Sequence, residues 1–141
     1  MISFALGPGS GNAGNIASNC FGSDAADNQV ISVNGNHTLV TLTFNNPTAG
    51  SLPAIVQGTL VYQMAVPGGG VLQHTVLYQD SIQGTIETDN LAIVGGVQNY
   101  NNSFTFMAVP GFHTLQFIYF TPTLGLGTDT IFSGRMTVCI G

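Results

Sequence analysis

The chain has 141 residues with one Arg, no Lys, six Asp or Glu and a net charge of −5. Charged residues make up 5% of it, against about 25% in an ordinary soluble domain. A lone cation cannot neutralise a run of phosphates, which excludes nucleic acid and an anionic membrane surface as partners.

The length suits one domain that buries roughly 70% of the surface of its unfolded form, without a structural metal or a dense disulfide set. Its exterior must then be built from Thr, Ser, Asn, Gln and Gly, which offers little charge repulsion between like copies. The opening MISFALGPGSG has no basic region and only a short apolar run, so neither a secretory signal nor a membrane span is predicted there.

Ile2, Phe4 and Leu6 alternate with Ser3, Ala5 and Gly7, a short strand pattern placed before GPGSGNAGN. Such a strand on a Gly/Asn-rich tether either completes its own sheet or adds to the sheet of a neighbouring subunit. Residues 15–28, which carry Cys20, Asp24 and Asp27, have no clear period and extend the arm, giving an arm over 1–28 and a domain over 29–141.

Strand patterns then recur between turn signals. Val30–Val33 is followed by Asn34-Gly35-Asn36 and by Thr38–Phe44, with Val40, Leu42 and Phe44 inward. Ala54–Met64 places Val56, Leu60, Tyr62 and Met64 on one face, and Pro67-Gly68-Gly69-Gly70 predicts a long hairpin into Val71–Gln79. Ile82–Thr88 and Leu91–Val94 read as shorter strands before Gly95-Gly96. Ser103–Val109 turns Phe104, Phe106 and Ala108 inward, and Pro110-Gly111 leads into His113–Phe120, with Leu115, Phe117 and Tyr119 inward.

The last strand, within Thr130–Gly141, places Phe132, Met136, Val138 and Ile140 on the core face and Arg135, Thr137 and Cys139 on the other. No helical period of useful length occurs. The predicted fold is all-β: an antiparallel two-sheet β-sandwich, a jelly roll, with an extended N-terminal arm.

The ending VPGFHTLQFIYF, a Gly-rich loop and TIFSGRMTVCIG resembles the last two strands of jelly-roll heads of the tumour necrosis factor and C1q type, which also occur in exosporium and phage-fibre tips. A Cys-bearing arm, a charge-poor jelly roll and a Cys in the last strand resemble bacterial endospore appendage subunits of the Ena family. That resemblance implies an arm that crosslinks neighbouring subunits, with Cys20 as arm thiol and Cys139 as strand thiol.

The two cysteines allow a bond between subunits, a bond within one subunit, or two free thiols; the length of the arm favours the first. A charge-poor, lysine-free chain with two cysteines points to an oxidising extracellular destination on a cell, spore or virion surface.

Other motifs carry less. Gly9-Ser10-Gly11-Asn12-Ala13-Gly14 matches G-x-G-x-x-G, but no helix follows to complete a phosphate cradle. His37, His74 and His113 are too scattered for a metal site and suit turns or the core, His74 sharing a face with Leu72, Val76 and Tyr78. Asp80, Glu87 and Asp89 form a sequence cluster, yet no Trp platform or G-x-S-x-G accompanies them to suggest a hydrolase. Asp24 and Asp27 lack a calcium-loop pattern, and the sequons at Asn36 and Asn101 call for exposed positions.

The sequence therefore predicts no catalytic, cofactor or metal site. It predicts a non-enzymatic subunit that assembles with itself into a surface filament, joined by Ile2, Phe4 and Leu6 with Cys20 and Cys139. The alternative is a trimeric binding head for a surface glycan or protein.

Overall fold

The computed structural model describes residues 2–4, 19–65, 72–124 and 127–141, and the side chains of all but 2–4 and 23–26 among them. Nine strands follow one another among the described residues: β1 (Ile2–Phe4), β2 (Asn19–Ile31), β3 (Gly35–Asn46), β4 (Leu52–Gln63), β5 (Thr75–Asp80), β6 (Gly84–Asn90), β7 (Gln98–Ala108), β8 (Gly111–Thr121) and β9 (Asp129–Ile140).

They form two antiparallel sheets, ordered β1-β2-β9-β4-β7 and β3-β8-β5-β6. Within these orders β2 pairs with β9, β3 with β8, β4 with β7 and β5 with β6. The second half of the domain thus runs back along the first, and the resulting double ribbon is rolled so that alternate pairs fall in opposite sheets. That is the jelly roll expected from the strand count.

Alternation drives this arrangement. Val56, Leu60 and Tyr62 on β4, Val40, Leu42 and Phe44 on β3, and Leu115, Phe117 and Tyr119 on β8 all point into one buried core between the sheets. The aromatic packing is dense: Tyr78 stacks on Phe117 at 4.9 Å and meets Phe104 edge-on at 4.8 Å. The turn into β8 uses Gly111 at φ +119°, a conformation that L side chains rarely adopt.

Four sequence expectations change. Residues 19–28, expected as arm, stand in β2, because hydrogen bonding to β9 needs only a partner edge and not an amphipathic period. The expected hairpin of Ala54–Met64 with Val71–Gln79 does not form, since β4 lies between β9 and β7 while β5 lies between β8 and β6 in the other sheet; the Pro67–Gly70 stretch is outside the described residues.

The stretch 91–94 is a loop, its Leu91 N–H bound to the His74 carbonyl and its Ala92 carbonyl taken by the Tyr62 hydroxyl. Finally, β9 slips by one residue against β4, where Val61 pairs with Ser133 but Tyr62 with Ile131. The bulge at Phe132 flips the alternation, so Ile131 is buried and Phe132 only half-buried.

β4 crosses the Tyr78 ring at Gly58, where a Cβ would stand 2.9 Å from Tyr78 Cζ and closer still to its hydroxyl. With Tyr78 buried in the packed core, the ring has no free space to move into. Gly58→Ala is expected to cost about 1–3 kcal/mol by overpacking; thermal melting unchanged from the parent protein would contradict the close fit.

Candidate functional site

Three polar constellations sit in or beside the apolar core, and two of them bracket β5. Immediately before that strand, His74 is buried with Nδ1 2.8 Å from the Leu72 carbonyl and Nε2 3.0 Å from Oδ2 of Asp129, the first residue of β9. The approach of Nε2 is off the hydrogen-bonding angle, so the contact is chiefly an ion pair. Asp129 also accepts the Ala65 N–H at 2.6 Å and the Tyr119 hydroxyl at 2.8 Å.

Both ring nitrogens of His74 face acceptors, which requires a proton on each. Burial works against that charge, but the Asp129 carboxylate and the Leu72 carbonyl outweigh it and raise the histidine above its ordinary 6.5. Burial likewise opposes ionisation of Asp129, yet His74, the Ala65 N–H and Tyr119 hold it below its ordinary 3.8. Tyr119 is kept protonated well above the usual tyrosine range, by burial first and then by the carboxylate beside it.

At the other end of β5, Asp80 receives Nδ1 of His113 at 2.8 Å and caps the following turn by accepting the Ile82 and Gln83 N–H groups. Nε2 of His113 is 2.7 Å from the Val109 carbonyl, and the ring stacks on Phe44 at 4.8 Å. This ring too faces an acceptor at each nitrogen.

The third constellation lies inside the open edge between β6 and β7. The Tyr100 hydroxyl donates to Asp89 at 2.6 Å and stands 2.9 Å from that of Tyr78, while the Asn102 amide reaches Asp89 at 2.6 Å and Glu87 at 3.3 Å. Burial, together with Asp89 and Glu87, pushes the Tyr78 phenol up to about 12 against the lowering effect of its Tyr100 contact. Tyr100 is raised further, by burial and by its bond to Asp89. These phenols are fixed hydrogen-bond donors, not proton carriers at neutral pH.

The sequence cluster Asp80, Glu87 and Asp89 is thereby divided: Asp80 serves His113, and the other two serve Asn102 and Tyr100. His37 closes a turn at 2.6 Å from the Val33 carbonyl, and Leu72, placed on the His74 face by period, is exposed. Among the described residues no three His, Cys, Asp or Glu side chains converge as a metal site. The two His–Asp pairs were not anticipated, since each joins residues far apart in the chain.

Cys20 and Cys139 are directly opposite in the β2–β9 register and are joined as a disulfide within one chain, their Cα atoms 4.0 Å apart. The sequence leans toward a bond between subunits; the in-chain bond arises because Cys20 lies in a strand of the same sheet and not in a free arm. β1 pairs with β2 in the same chain, with Phe4 opposite Cys20 and Ile2 opposite Gly22. Leu6 and the G-x-G-x-x-G segment fall outside the described residues. On the outer face of this sheet Arg135 meets Asp27 at 3.0 Å.

No protein-family model matches the sequence, and no curated protein matches it either. Among solved structures, the fold is similar to a chain of infectious bursal disease virus, Gx strain, with a TM-score of 0.52 and 14% identity over 88% of this chain and 33% of the viral one. It is similar at TM-score 0.52 and 16% identity to the T=1 particles derived from that virus, over 86% of this chain and 31% of the viral one. The C-terminal domain of EclA, a sugar-binding protein, aligns at TM-score 0.43 and 13% identity over 93% of this chain and 87% of that one. The chain spans about a third of the length of the viral chains, and the likeness is one of fold.

The pair at the start of β5 makes stability depend on pH. The raised value of His74 gives a contribution fully present below 6.5 and lost as pH rises through the folded value, while the lowered value of Asp129 gives one present above 3.8 and lost as pH falls through its folded value. Urea unfolding across pH should show a maximum between these limits. Asp129→Asn should cost about 3–5 kcal/mol by stranding a buried charge and flatten the decline on the alkaline side. An unaltered alkaline slope in that variant would exclude the pair as its source.

Proposed function

We propose that this chain is a non-enzymatic structural subunit that assembles with copies of itself into a filament or shell at a cell, spore or virion surface. One observation carries the reading: the described charged side chains are all engaged, four carboxylates in or beside the core and Asp27 with Arg135 on the outer face. Asp80 and Asp129 pair with buried histidines, Glu87 and Asp89 serve Asn102 and Tyr100, and Arg135 meets Asp27.

Apart from the Arg135–Asp27 pair, the described outer faces carry little charge. Gln57, Thr59 and Thr137 lie on one, and Thr41, Thr43 and Gln116 on the other. Faces of this kind pack against copies of themselves without charge repulsion or costly desolvation of ions. The fold shared with virus particles supports the same reading, as a likeness of architecture only.

The joint we propose is the arm. β1 adds only three residues to the β2 edge, and the equivalent edge of a neighbouring copy presents the same backbone groups, so the Ile2–Phe4 strand can exchange between copies with no new interface chemistry. Within this scheme the in-chain Cys20–Cys139 bond holds the receiving edge on its sheet. An oxidising surface location accords with that bond.

Light scattering and negative-stain imaging of the full chain over a concentration series should show polymers or closed shells. Removal of residues 1–14 should abolish them while circular dichroism and melting stay those of a folded domain. A strict monomer at every concentration overturns the assembly reading; arm-less protein that still polymerises overturns the role of the arm; a discrete trimer redirects the reading to a binding head.

A further inference from the structure

Sheet edges expose backbone donors and acceptors, and folded proteins guard them with charge, Pro, bulges or a covering segment. Three edges here are guarded. β2 pairs with β1 at Cys20–Gly22 and carries Asp24 and Asp27 along the rest of its length, β6 carries Glu87 and Asp89, and β3 is interrupted by a register shift between Thr38 and Val40.

The fourth edge is β7, Gln98–Ala108, eleven residues without charge or Pro, paired to β4 in unbroken register. Among the described residues β4 is the only strand that pairs with it in a sheet.

The direction of the free groups follows from one proline. Pro53 lies opposite Met107, and its carbonyl accepts the Gly141 N–H on the far side of β4. The groups of Met107 therefore point away from β4, and the Gln83 amide caps its carbonyl at 3.1 Å. By alternation Asn99, Asn101, Ser103 and Thr105 turn their N–H and C=O groups to the open edge. On the core side of the same strand Tyr100, Phe104 and Phe106 are only half-buried, the incomplete margin of the core.

We infer that the β7 edge is an interface between two copies of this chain, in which each β7 pairs antiparallel with the other about a two-fold axis near Ser103 and joins the two five-stranded sheets into one. The strand is its own complement. An antiparallel copy centred on Ser103 sets Tyr100 beside Phe106 and Phe104 beside Asn102 on the core side, and Ser103 beside Ser103, Asn101 beside Thr105 and Asn99 beside Met107 on the outer side, and no like charges meet. The partner also covers the half-buried rings, adding apolar burial to the backbone hydrogen bonds.

The inference rests on the self-assembly reading and names one of its contacts. The test uses the full chain with Ser103→Lys and Ser103→Glu, exposed outward positions that should leave melting unchanged. Across the two-fold each variant sets like charges beside one another, so sedimentation should show the β7 contact weakened by about tenfold or more in either variant alone, and recovered in their equimolar mixture.

Amide exchange at Asn99–Thr105 in the parent protein should slow only in the assembled state. Parent protein that assembles while both variants assemble equally well, with these amides still exchanging freely, overturns the β7 contact and leaves the assembly reading standing. A parent protein that is monomeric throughout overturns both.

Discussion

The ion pair between His74 and Asp129 is the contact on which the sandwich turns, because it joins the start of β5 in one sheet to the start of β9 in the other. A carboxylate and an imidazolium removed from water are tolerated only where every remaining polar atom finds a partner. Asp129 meets that condition through the Ala65 N–H and the Tyr119 hydroxyl, and His74 through the Leu72 carbonyl. The pair therefore specifies how β4, β5, β8 and β9 converge at that end, more than it adds net stability. His113 and Asp80 make a second buried His–Asp contact at the opposite end of β5, within a single sheet.

Internal use of charge has an external consequence. An ordinary domain of this size spends its carboxylates and cations on a solvated surface; here the described carboxylates are engaged in pairs and networks, and the exposed strand positions are mostly Thr, Ser, Asn and Gln, with Val30, Ile55, Met107 and Phe112 among them. The carboxylates that hold the sheets together are thereby withheld from the outer faces.

The same economy explains the unequal edges. β6 turns Glu87 and Asp89 inward to Asn102 and Tyr100, which ties the two sheets at that side, and β7 keeps aromatic residues at the margin of the core with no further strand beside it among the described residues. At the opposite side, β1 and the Cys20–Cys139 bond reinforce β2 and β9. One side of this sheet is stapled and extended by β1, and the other ends at β7 among the described residues.

Periodicity made the core legible. Val40, Leu42 and Phe44, Leu115, Phe117 and Tyr119, and Val56, Leu60 and Tyr62 occupy the inward positions that a period of two assigns, and the all-β sandwich follows from them. Period is a local property, so it was silent on β2, whose Gly, Ser and Asp residues carry no alternation, and misleading at Phe132, where a bulge shifts the phase.

Which strand lies beside which was decided by tertiary structure alone. Separation of β4 from β5, closure of Cys20 on Cys139 and the meeting of His74 with Asp129 each depend on residues far apart in the chain, and no short-range pattern encodes the partner of a strand edge or of a buried charge.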